Sequence, residues 1–155
     1  MDKYEKLVDT IAQQTGTPFG PASLSSLAEL RALEFPEAAI EFYEHYEPSG
    51  CAQGQIRLWP IDDIVIENRQ AVPGICVQPH GYAVFATTLS GDAYCFNSNR
   101  LGVDGEPTIV LISHEAVSED ATAEEVKRLA KPVASSLRIF LEQFTRGEVD
   151  EECIY

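Results

Sequence analysis

Between residues 55 and 113 the chain is cut into short apolar or alternating runs by turn residues, and few folds accept that pattern. Gln55–Trp59, Ile61–Glu67, Ile75–Gln78, Tyr82–Thr88, Ala93–Asn97 and Thr108–Ser113 each read as a strand. Leu89-Ser90-Gly91-Asp92 reads as a tight hairpin turn joining two of them. Connections this short link antiparallel neighbours, because parallel strands need crossovers of a dozen residues or more.

Helical periodicity flanks this region on both sides. From about Asp2 to Gln14, Tyr4, Leu7, Val8 and Ile11 form one stripe, and Gly16, Pro18, Gly20 and Pro21 then break it. A short helix is expected around Ser25–Leu33, with Ser26 and Glu29 as a capping box near its start. Pro36 suits the first turn of a third helix, which ends before Pro48-Ser49-Gly50. Near the C-terminus, Thr122 and Glu125 form a second capping box for a helix to about Leu129, and Lys131-Pro132 interrupts it. Leu137, Phe140, Leu141 and Phe144 give a clean apolar stripe that Gly147 is placed to stop. Helices, then strands, then helices make an α+β domain: an antiparallel sheet of about five to six strands, with the N- and C-terminal helices packed on one side of it. No repeat or linker divides the chain, so residues 1–147 read as one domain and 148–155 as an acidic tail. Glu148–Glu152 are expected to be mobile, with Ile154 and Tyr155 as groups able to dock.

At 155 residues the chain can bury a real core without disulfides or metal. Its 25 acids and 11 strong bases give a formal charge of −14. The charge is evenly spread, with 12 acids against 5 bases in residues 1–78 and 13 against 6 in 79–155. Such a field repels nucleic acid and anionic membrane and steers a basic protein toward it. Cys51, Cys76, Cys95 and Cys153 form no C-x-x-C pair, and the amphipathic N-terminus lacks the apolar core of a signal peptide. No apolar run approaches the roughly 18–20 residues that span a bilayer. A cytoplasmic protein with reduced thiols is expected.

One segment concentrates the charge. Between Arg31 and Arg57 there is no strong base, yet Glu34, Glu37, Glu41, Glu44 and Glu47 recur three and four residues apart. On a helix they share one side, with Ala39, Phe42, Tyr43 and Tyr46 opposite. Like charges at this spacing cost a few tenths of a kcal/mol each, which a positively charged partner would relieve. The plainer reading is a solvated helix face. Asp62 and Asp63 extend the patch if their strand end lies near the helix, and Trp59 or Tyr46 could add an aromatic anchor. For both aromatics core packing is the alternative.

Catalytic patterns are lacking. His114-Glu115 has Ser118 where a zinc-protease motif needs its second histidine, and His45, His80 and His114 share no face at ligand spacing. Asp62 and Asp63 are more simply the acids of a strand end or helix start than a cation site. Cys95, between Tyr94 and Phe96, reads as a buried inert thiol, and Cys51 has no histidine or lysine beside it. No phosphate loop, dinucleotide fingerprint or nucleophile elbow is present, and no metal or cofactor is expected.

Phe35-Pro36 followed by Phe42-Tyr43 and Pro48-Ser49-Gly50 begins a longer ordered pattern. It continues with Ile56-Arg57-Leu58-Trp59-Pro60-Ile61-Asp62-Asp63, Gly91-Asp92-Ala93-Tyr94-Cys95-Phe96 and Ile109-Val110-Leu111-Ile112-Ser113-His114-Glu115, and closes on the serine-led Ser135–Leu141. In this order, over about residues 23–145, the chain resembles the SUKH superfamily, which includes the yeast cell-wall-assembly regulator and many bacterial toxin-immunity proteins. Two positions depart from the pattern: Phe35 stands where leucine is usual, and the glycine turn lacks its usual asparagine or aspartate. The resemblance implies an α+β binding domain without catalysis, in many members an immunity protein that neutralises a nuclease or deaminase toxin. Joined to the charge pattern, it gives an expected cognate protein toxin, basic and nucleic-acid-targeting, masked by Glu37, Glu41, Glu44 and Glu47, with Asp62, Asp63 and Trp59 contributing. The alternatives are a regulatory scaffold, or a small-molecule binder, which would need a deep pocket with convergent polar groups.

Overall fold

The computed structural model describes residues 2–102 and 104–153. Its centre is a six-stranded antiparallel sheet in which every strand pairs with its neighbours in the chain. The strands are β3 (Cys51–Gln53), β4 (Ile56–Leu58), β5 (Tyr82–Thr88), β6 (Ala93–Leu101), β7 (Pro107–Ile112) and β8 (Lys131–Ala134). A two-stranded ribbon, β1 (Phe19–Gly20) with β2 (Glu47–Pro48), lies apart from it. The turn at residues 89–92 closes the β5–β6 hairpin as the sequence predicts, with Gly91 N–H on the Thr88 carbonyl.

Period-two alternation sends the two faces of the sheet into separate cores. Ala83, Phe85, Tyr94, Phe96, Ile109 and Leu111 point to the larger one. There they meet α1 (Glu5–Thr15), α2 (Leu24–Ala32), α3 (Glu37–His45), α4 (Ile61–Arg69) and α7 (Leu137–Arg146). Phe85 stacks on Phe96 at 4.4 Å and meets Phe140 of α7 edge-on at 5.2 Å. Tyr82, Val84, Cys95, Val110 and Ile112 point the other way, beneath α5 (Gly74–Val77) and α6 (Ala123–Leu129). Helices therefore cover both faces, not one. Val126 and Leu129 of α6 close the second core together with Val117 and Ala121, a length of loop whose apolar content carries no regular period.

Two expected strands are helices. Ile61–Glu67 has the β-branched composition of a strand, but its buried residues Ile61, Ile64 and Asn68 fall at i, i+3 and i+7, the helical period. Ile75–Gln78 belongs to α5 and the 3₁₀ turn at Gln78–His80 that follows it. Gly74 permits this wedge, because a Cβ there would lie 1.8 Å from the Glu67 carbonyl oxygen. Lys131-Pro132 does end α6, but the chain re-enters the sheet as the edge strand β8, where a residue without N–H is tolerated. The short strand β3 was not legible, being three residues beside a glycine turn.

Caps explain most helix ends. Thr122 Oγ1 accepts from Glu125 N–H and Ser136 Oγ from Ile139 N–H, and Gly147 ends α7 in the left-handed region. For α2 the cap is Ser23, whose Oγ accepts from Ser26 N–H, and not the box expected from Ser26 and Glu29. Residues 148–153 lie on the domain. Val149 is buried, Tyr94 Oη donates to the Asp150 carbonyl, and Lys131 Nζ sits 2.7 Å from Asp150 Oδ2. Ile154 and Tyr155, the groups expected to dock, lie outside the described residues.

Candidate functional site

Helix α3 carries the acidic row, and its orientation follows from its opposite side. Ala39, Ile40, Phe42 and Tyr43 are buried, with the Phe42 ring edge-on to Tyr4 at 4.8 Å and to Tyr43 at 5.4 Å. Glu37, Glu41 and Glu44 are thereby turned to solvent together, and none makes an ion pair among the described residues. Glu37, in the first turn, is favoured by the helix dipole, whereas Glu44 in the last turn opposes it.

The other two glutamates of the row do different work. Glu34 lies before the helix, at φ +60°, in the left-handed region. It closes α2 with Glu34 N–H on the Arg31 carbonyl and Phe35 N–H on that of Leu30, a Schellman arrangement in which glycine is usual. Glu47 lies beyond the end of α3, in β2, and so is off the helix on which the sequence placed it. Its Oε2 accepts from Ile61 N–H at 2.8 Å and caps α4, since Pro60 has no side-chain oxygen to do so. Asp62, exposed, and Asp63, half-buried, occupy the first turn of that helix beside Glu47. Their carboxylates complement its N-terminal dipole. Trp59 is half-buried against the larger core, and its Nε1 donates to Thr87 Oγ1 at 2.8 Å.

A groove of about 340 Å³ runs along α3, bordered by Glu41 and Glu44 on the helix and by Asp2 and Glu106 across it. Lys3 pairs with Glu106 at 2.6 Å. Tyr46 Oη donates to Asp2 Oδ2 at 2.6 Å, an interaction that pulls the Asp2 carboxyl below its usual range and pushes the Tyr46 phenol up to about 12. Asp2 and Glu106 join Glu41 and Glu44 here although more than a hundred residues separate them in the chain, so no sequence pattern announces their meeting.

Asp92 has His114 Nδ1 2.7 Å from its Oδ1 and the Cys153 thiol nearby. A nucleophilic thiol needs a cationic neighbour or a helix N-terminus to lower its pKa. Burial, then contact with Asp92, instead pushes Cys153 up to about 12. Burial alone raises Cys95, it is the first cause at Cys76, and it takes Cys51 up to about 11, so all four thiols stay protonated at neutral pH. Among the described residues no group of three or more histidine, cysteine or acidic side chains is placed to hold a metal ion. No helix among them is long and apolar enough to cross a membrane.

Residues 18–143 match the family described as SMI1 / KNR4 (SUKH-1). A comparison with curated proteins found no match. In general terms the family supports a non-catalytic immunity or regulatory domain that works through protein–protein interaction. The matched span takes in α2, α3, α4, the whole six-stranded sheet and most of α7. By that match, in agreement with the ordered motifs from Phe35-Pro36 to Ser135–Leu141, this chain belongs to the SMI1/KNR4 (SUKH-1) family.

Proposed function

We propose that the domain is an immunity protein acting in the cytoplasm, which neutralises a basic, nucleic-acid-targeting toxin by stoichiometric masking. The observation that carries this reading is the unpaired acidic row of Glu37, Glu41 and Glu44 on α3, of which Glu41 and Glu44 border a groove that Asp2 also lines and in which Glu106 is paired with Lys3. A lysine or arginine of the toxin's substrate-binding face enters this groove, and the complex excludes nucleic acid from that face. Complementary charge speeds the encounter and disfavours neutral partners. Asp62 and Asp63 extend the patch beside Glu47, with Trp59 at its margin.

The test is purification of the tagged protein from its native host with low-salt and high-salt washes, followed by the Glu41→Lys/Glu44→Lys variant. A near-stoichiometric basic partner should co-elute at low salt and be lost at high salt. The double variant should bind it more weakly, with a flatter salt dependence. It should fold at least as stably as the parent, since removing like charges and placing cations near a helix C-terminus gains a few tenths of a kcal/mol. Undiminished affinity in that variant would move the interface off α3.

A further inference from the structure

The opposite face of the sheet holds a groove of about 810 Å³ that shares no lining residue with the acidic one. Its floor is a row across three strands, in which Tyr82 of β5 stands beside Asn97 of β6, and Asn97 beside Thr108 of β7. The next row, Val84, Cys95 and Val110, is apolar and lies in the core that α6 covers. Tyr82 still lies in that core, and Asn97 and Thr108 carry the polar row past its cover. Asn97 is only 8% exposed. Its Oδ1 accepts from Asn99 N–H at 3.0 Å, which fixes the amide's orientation and leaves Nδ2 without a partner among the described residues. That donor is open to solvent in the groove, where a ligand oxygen can replace water as its acceptor.

The walls and rim complete the site. Ala130, Pro132 and Val133 give apolar sides, and Arg100 and Lys127 stand at the groove with no ion pair among the described residues. Among the described residues Glu124 is the one acid lining it. A chain with 25 acids and 11 strong bases thus has a groove where cations outnumber anions. The volume falls within the ~300–1,000 Å³ typical of small-molecule sites, which likewise combine apolar walls with a few convergent polar groups.

We propose that this groove binds a small organic anion, a carboxylate or phosphate head on an apolar body. The head accepts from Asn97 Nδ2 and pairs with Arg100 and Lys127, while the body lies against Ala130, Pro132 and Val133. This site is independent of toxin masking and stands whichever partner the acidic face takes.

Amide NMR titration of the full chain with phenylacetate, phenyl phosphate and the uncharged phenylacetamide tests it. Both anions should saturably shift the amides of Tyr82, Asn97, Arg100, Thr108 and Lys127, and the stronger of the two identifies the preferred head group. Phenylacetamide, and either anion with the Arg100→Gln/Lys127→Gln variant, should bind roughly fivefold more weakly, the scale of two partly exposed ion pairs. The variant's spectrum outside the groove should superimpose on the parent's. No saturable shift at these amides up to about 20 mM of either anion, or an equal response to phenylacetamide, would overturn the proposal.

Discussion

The Asp92 carboxylate ties the β5–β6 turn to the end of β7, with Oδ1 2.7 Å from His114 Nδ1 and 3.1 Å from the His114 backbone nitrogen. The Gly-Asp turn and the His-Glu strand end, separate motifs in the sequence, are thus the two halves of one interaction. Burial disfavours the charged carboxylate, but the hydrogen bonds from His114, with the nearby Cys153 thiol, outweigh it and hold Asp92 below its ordinary 3.8. A depressed folded value means that the stabilisation is present above about pH 3.8 and is lost as pH falls through the folded value. Asp92→Asn should cost about 1.5–3 kcal/mol at pH 7, the worth of a charge-assisted hydrogen bond. Urea titrations of both proteins from pH 7 to pH 3 should show that deficit shrinking below pH 4. A constant deficit would mean that the charge on Asp92 is not what matters.

Glu34 and Gly147 hold the same place in two Schellman helix ends, at φ +60° and +67°. A side chain in that region is strained and glycine is not, so Glu34→Gly should stabilise the domain by about 1 kcal/mol. For a chain of this length the melting temperature should rise by roughly 2–4 °C. A fall on thermal unfolding would show that the Glu34 side chain makes a compensating contact.

Glu47→Ala separates capping from binding. Removing the acceptor for Ile61 N–H should cost about 1 kcal/mol by chemical denaturation. Under the proposed function the variant should also bind the partner less well than its stability alone explains, but by less than Glu41→Lys/Glu44→Lys does. An effect as large as that of the α3 reversals would place the centre of the interface nearer α4.

Ending the chain at Gly147 should destabilise the domain although it removes an acidic segment from an already acidic protein. Val149 would lose its burial and Tyr94 Oη its acceptor on Asp150, together about 2–4 kcal/mol. Unchanged urea stability would show that the docked segment contributes nothing to the fold.

Local signals settled much of this protein before any tertiary contact. The Leu137–Phe144 stripe, the Thr122 cap, the turn at 89–92 and the outward face of α3 each depend on residues within a few positions of one another. What the tertiary structure decided turns on distant partners. Ile61–Arg69 is a helix because Glu47 caps it from outside and because Asn68 can then serve β5, donating through Nδ2 to the Val84 carbonyl and accepting at Oδ1 from Val84 N–H. β8 is a strand because β7 offers an open edge, and α6 lies on the far face because Val84, Cys95 and Val110 need cover there. The acidic groove and the cationic one were equally illegible. Each gathers side chains from segments far apart in the chain, and a sequence records spacing along the backbone while charge and hydrogen bonding act through space.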